Sequence, residues 1–302
     1  MNSTYLEVVD KWYAERGTIT AIMLTSIFML ITLFSGMLYI ALTWDPDIPG
    51  GADDIFILVM IGIFSTPVFI AAGWALRKEI FAYTHYPIRF NRVTRTVNVF
   101  RTDGTVLSMP WEAIFFTMSP VDQFYKFWNV LGHTLAKDQL TIKETFALSI
   151  TSDGSPEGIA TMRSHWEFVR RYMEEGPSSV TAQVKYCMPI NRRRESMSVA
   201  IHRLLANNIG DGISLLPMHI FGLLFNSLII PFRFIAMHSS KIPCWPTDIE
   251  TASRIMDNDP YAITGSNNGN RVNLFPVAVE AANVRFTGAL DSASKNICDP
   301  PH

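Results

Sequence analysis

The sequence predicts an α+β protein in which a two-helix transmembrane hairpin precedes a small antiparallel β domain. Three observations carry this prediction. Two long apolar runs without a charged residue stand near the N-terminus. A stretch with period-two alternation follows them. One later helix has a clear cap at its start and a clear stop at its end.

The first apolar run extends from Ile19 to Thr43 and the second from Ile55 to Leu76. A helix of this length rises far enough to cross a hydrocarbon core about 30 Å thick. Neither run has the polar face that a soluble helix shows at 3.6-residue spacing. The predicted hairpin therefore occupies residues 19–78. Its connecting loop, Trp44 to Asp54, carries Asp45, Asp47, Asp53 and Asp54 and no cation, whereas Lys11, Arg16, Arg77 and Lys78 flank the outer ends. The positive-inside rule then places both outer ends in the cytoplasm, with the main domain. Residues 1–18 form a lead-in. Tyr5, Val8, Val9 and Trp12 fall at near-helical spacing, which fits either an amphipathic segment on the membrane surface or an extension of the first span.

Residues 79–177 change character. Ile88 and Phe90 alternate with Arg89 and Asn91, and Val97 and Val99 alternate with Thr96 and Asn98. Val106 to Met109 follows the Asp103-Gly104 turn, Pro110-Trp111 breaks the run, and Ala113 to Met118 resumes it. The aromatic stretch 121–137 fits a further strand or a surface loop, and Phe146 to Thr151 reads as a strand ending at Asp153-Gly154. Ser155 then suits a helix N-cap and Pro156 the first helical position. Ile159, Met162, Trp166, Val169 and Met173 share one face, and Gly176-Pro177 stops the helix. Short strands closed by one C-terminal helix is the element order of a pleckstrin-homology-like domain, an analogy of order that implies no ligand.

Residues 178–256 begin with the basic run Arg192, Arg193, Arg194 and an apolar stripe of Met197, Ile201, Leu204 and Leu205. A third apolar segment, Ile213 to Met237, contains Pro217, His219, Asn226, Pro231 and Arg233. Its prolines and its arginine predict a Pro-broken interfacial or re-entrant segment, with Arg233 and His219 at headgroup level. A short helix is expected near Ile249 to Met256, and residues 257–302 form a polar tail.

Lys+Arg 25 against Asp+Glu 27 leaves a net charge of −2, which argues against nucleic acid as a partner. The mean hydropathy of +0.17 fits a mixed membrane and aqueous architecture. Cys187, Cys244 and Cys298 make neither a zinc spacing nor a disulfide framework, and the seven histidines are scattered. No hydrolase, metalloprotease, phosphate-loop or dinucleotide signature is present, so the sequence reads as no enzyme and calls for no cofactor. The candidate contacts are cationic. Arg89, Arg92, Arg95 and Arg101 lie on the first strands after the membrane exit, and Arg192, Arg193 and Arg194 precede the third apolar segment. Each suits a lipid headgroup or an acidic partner, and equally an ordinary solvated position.

The order of hairpin, Pro87 to Arg101, Asp103-Gly104, Pro110-Trp111 and a later Pro-containing apolar segment resembles a family of bacterial inner-membrane proteins classed as a domain of unknown function. The resemblance covers roughly residues 20–250. Members are encoded near type VI secretion and Rhs-type polymorphic-toxin genes. The resemblance implies a multi-pass inner-membrane protein with a role in interbacterial antagonism. That role is either immunity or accessory binding of a toxin or a type VI secretion protein, or a membrane-damaging effector. It brings no catalytic residues.

Overall fold

A computed structural model describes residues 1–43, 51–120, 127–136, 138, 140–184, 187–188, 192–201 and 216–265. The polar tail expected after residue 257 lies outside these from residue 266 on, as do Leu204 and Leu205 of the expected stripe. The chain divides into two compact units, one made of Met1–Glu15, Tyr83–Ser227 and Lys241–His302, the other of Arg16–Ala82 and Leu228–Ser240.

The first unit holds the strands. Four of them, β1 (Tyr5–Val8), β2 (Ile88–Asn91), β3 (Thr96–Phe100) and β4 (Val106–Pro110), form an antiparallel sheet in that order. Three more, β5 (Ile114–Pro120), β6 (Trp128–Leu135) and β7 (Ile142–Ser152), form a second antiparallel sheet. The strands expected after the hairpin are thus present, and the aromatic stretch supplies β6. The lead-in differs from the expectation. Tyr5–Val8 is a strand paired with β2, Leu6 opposite Phe90 and Val8 opposite Ile88. A four-residue edge strand takes its conformation from its partner, and helical spacing over so few residues cannot outweigh that pairing.

Alternation divides the side chains of the four-stranded sheet between two buried faces. Leu6, Val8, Ile88, Phe90, Val97 and Val99 enter the main core with Leu148, Ile150, Met162 and Val169. Tyr5, Glu7, Arg89, Asn91 and Asn98 are buried as well. Phe100 joins Trp245 and Ile249 in a second apolar cluster.

The helix after β7, α3 (Pro156–Glu174), begins as the sequence dictates. The Ser155 hydroxyl accepts from the Gly158 amide at 3.1 Å, and Pro156 occupies the first turn. Its core face is Met162, His165, Phe168, Val169, Tyr172 and Met173. Trp111 is buried beside it and donates to Glu174 Oε1 at 2.7 Å.

His165 lies fully inside, and burial pushes its pKa down to about 3. The folded unit therefore keeps this imidazole neutral, while the unfolded chain protonates it below about 6.5. Stability from this group is complete above that value and falls as pH drops from it toward 3, at roughly 1.4 kcal/mol per pH unit. Denaturant titrations of the full chain in detergent, run from pH 7 to pH 4, should show this fall, and His165→Gln should flatten it. An unchanged slope in the variant would remove His165 as the cause.

The second unit is helical. α1 (Thr18–Thr43) and α2 (Gly51–Glu79) contain windows long and apolar enough to cross a membrane, Thr18–Ile40 and Val59–Glu79. Pro67 sits inside α2. The third apolar segment forms α4 (Leu216–Ser239), whose residues from Leu228 belong to this unit. It is one continuous helix, which corrects the expected Pro-broken segment. Pro217 falls in its first turn, where a missing N–H costs nothing, so only Pro231 removes an internal donor. The last helix, α5 (Thr247–Ala252), belongs to the strand-bearing unit.

Candidate functional site

Two charged clusters stand out among the described residues, one in each unit. In the strand-bearing unit, alternation on β1 and β2 turns Glu7 and Arg89 to the face opposite the main core. Opposed in register, they meet there, Arg89 Nε donating to Glu7 Oε2 at 2.7 Å. Arg89 Nη1 also reaches Glu250 Oε2 of α5 at 3.4 Å. The guanidinium carbon lies 4.4 Å from the Tyr5 ring centroid and 4.8 Å from that of Trp245, so two aromatic faces replace the water that burial removed. Trp245 Nε1 donates to the second oxygen of Glu7 at 3.3 Å. Arg192 Nη2 closes the chain of charges on Glu250 Oε1 at 3.1 Å.

Burial alone would lower the Arg89 pKa, but Glu7, Tyr5 and Glu250 outweigh it and the net direction is up. The Tyr5 hydroxyl is pushed up to about 12, mainly by burial and against the pull of Arg89. Arg89 therefore stays charged and Tyr5 neutral throughout the physiological range. Through these contacts the cluster joins β1, β2, residue 192 and α5.

The other predicted cations are dispersed. Arg95 adopts φ +54 at the end of the β2–β3 turn. It bonds Glu112 at 2.6 Å and the Met173 carbonyl at 2.8 Å, a cation at the C-terminal end of α3. Arg101 pairs with Glu144 at 2.5 Å. Arg92 is half-buried beside Gly176. Arg193 and Arg194 are exposed. Among the described residues, Arg89 and Arg192 share one partner, Glu250. Arg89 is 2% exposed, so its guanidinium faces Glu7 and Glu250 rather than the surface.

The second cluster was not singled out from the sequence. Glu79, the last residue of α2, is buried, and its carboxylate caps the start of α1 from across the hairpin. It accepts from the Gly17 amide at 2.7 Å, the Thr20 amide at 2.6 Å and the Thr20 hydroxyl at 2.6 Å. These amides are among the donors that the first turn of any helix leaves without an internal acceptor, and the dipole there favours an anion. The carbonyl of Glu79 accepts from Arg16 Nη1 at 3.3 Å and from the Ser240 hydroxyl at 3.1 Å. Arg233 of α4 donates to the Arg16 carbonyl at 2.9 Å.

Gly17, at φ +95, makes this approach possible: an added Cβ would stand 2.5 Å from the Arg233 Cα. Arg233 is 6% exposed, its guanidinium turned to the Arg16 carbonyl. The visible signal was a glutamate closing one apolar run opposite the first turn of another.

No group of three or more metal-ligating side chains occurs among the described residues. Residues 66–257 match the model of a family of unknown function, DUF6708. Neither a curated protein nor a solved structure matches the chain.

Proposed function

Because the chain belongs to DUF6708, a family of unknown function, we propose from its structure and sequence that it is a membrane-anchored binding protein rather than an enzyme. One observation carries this reading. The candidate span of α1 is wholly unburied and that of α2 only 6% buried, so both present apolar side chains to their surroundings on nearly every face. Water is a poor solvent for such a surface and lipid a good one.

On this reading the hairpin crosses the bacterial inner membrane twice, with the acidic loop outside and the strand-bearing unit in the cytoplasm. Four strands, three strands and a helix after the last of them support a pleckstrin-homology-like reading of that unit. The setting we infer, immunity or accessory binding of a toxin in type VI-associated antagonism, comes from the resemblance of the Pro87 to Arg101 region. Exposed apolar helices also suit a membrane-damaging effector.

Expression in a host that lacks the neighbouring genes separates the two. A binding protein leaves growth unchanged and protects against a toxin encoded beside it; growth arrest by the chain alone makes it the effector. A cytoplasmic reporter fused after Arg101 should be active and a periplasmic one silent, and the reverse pattern would overturn the topology.

A further inference from the structure

We propose that α4 is a lipid-contacting helix that lies against the membrane on the side where both hairpin ends emerge, and does not cross it. The inference rests on the membrane-anchoring reading of α1 and α2. Three observations lead to it.

The first is the distribution of side chains around the C-terminal half of α4. Arg233, Ala236, Met237 and Ser240, at three- and four-residue steps, are buried. Leu224 and Leu228 are 63% and 69% exposed, and Phe234 and Ile235 are exposed as well. A helix on the surface of a water-soluble protein turns its apolar stripe inward. This one turns its arginine inward and its leucines outward, the arrangement expected where the surroundings are apolar.

The second is position within the helical unit. The buried face of α4 meets the start of α1 and the end of α2, through Arg233 on the Arg16 carbonyl and Ser240 on the Glu79 carbonyl. Near that end of α2, Trp74 is exposed under the Lys78 ammonium, 3.8 Å from its ring centroid, and Phe81 is exposed at φ +65. Aromatic rings and lysines of this kind occupy the interface between hydrocarbon and water. The exposed Leu228, Phe234 and Ile235 of α4 belong to the same unit as the hairpin and add to its apolar surface.

The third is connectivity. Residues on both sides of α4 are held in the strand-bearing unit. Before it, Arg192 pairs with Glu250 and Glu195 accepts from Tyr13; after it, the Lys241 carbonyl accepts from the Thr84 amide. The chain leaves that unit and returns to it, so the number of crossings between them is even. A crossing by α4 requires a second one, and the only sequence left for it, residues 202–215, is too short and carries Asn207, Asn208 and Asp211.

The test places dansylalanine at Leu228 in the full chain, with Met29 of α1 and Phe64 of α2 as references; all three side chains are exposed, so the probe displaces no packing. Each variant is reconstituted in phosphatidylcholine–phosphatidylglycerol vesicles whose acyl chains carry bromine either near the headgroup or near the terminal methyl. The expected result is blue-shifted emission at Leu228, lost mainly to headgroup-proximal bromine, with Met29 and Phe64 quenched mainly by terminal-methyl bromine. Preferential quenching of Leu228 by terminal-methyl bromine would mean a crossing helix and overturn the proposal. Unquenched emission at Leu228 with quenched references would place the helix in water or under a protein partner, overturning the proposal and leaving the anchor standing. Unquenched emission at all three positions would overturn the anchor itself.

Discussion

Replacing Glu79 with alanine should destabilise the helical unit by about 3–5 kcal/mol, because it leaves three donors without their acceptor and each such loss costs about 1–3 kcal/mol. The substitution removes the acceptor for the Gly17 amide, the Thr20 amide and the Thr20 hydroxyl together. An ordinary N-cap removal costs about 1 kcal/mol. Here three donors, two of them amides at the start of a helix, lose their acceptor at once. Glu79→Gln retains one oxygen acceptor and should fall between wild type and Glu79→Ala. Thermal unfolding in detergent, followed by the helical circular dichroism signal, orders the three proteins. A Glu79→Ala protein that melts with the wild type would show that the cap contributes nothing to holding the hairpin.

The second large effect is expected at Arg89. Arg89→Met leaves Glu7 buried beside an apolar side chain, a loss of about 3–5 kcal/mol. The double variant Glu7→Leu with Arg89→Met should recover most of it, because two apolar side chains suit that face better than one unpaired carboxylate. Arg89→Lys keeps the charge but loses the planar group that stacks on Tyr5 and Trp245, so it should not behave as wild type. Urea titration of the full chain in detergent, read by tryptophan fluorescence, measures all three. With Glu7→Leu measured beside them, a double-variant loss equal to the sum of the two single losses would mean that Glu7 and Arg89 act independently.

Much of the strand-bearing unit was legible because its local signals agree with its packing. The Asp103-Gly104 turn, the alternation of β2 and β3, and the Ser155-Pro156 start of α3 each have one physical meaning. β1 was not legible, since Tyr5 to Val9 satisfies a helical spacing as well as a strand, and only β2 decides between them. The continuity of α4 was not legible, because a proline weighs the same in any pattern count, whereas its cost depends on the turn it occupies; Pro217 sits where the cost vanishes. The site was legible only as a set of residue types. Nothing along the chain says that Arg89 and Arg192 share Glu250, or that Glu79 reaches the first turn of α1, because such pairings exist only once distant elements have met.

The pairing of β1 with β2 has a consequence for how the protein is made. The ribosome delivers Tyr5 to Val8 first, yet their partner Ile88 to Asn91 emerges only after both apolar runs have been synthesised. Until then β1 waits with Leu6 and Val8 uncovered. On the membrane reading, a nascent chain that inserts one run and strands the other puts the two strands on opposite sides of the bilayer. No such chain can complete its sheet or bring Glu7 to Arg89. On that reading, burial of the first strand depends on correct looping, and a misinserted chain keeps an open apolar edge of the kind that proteases find.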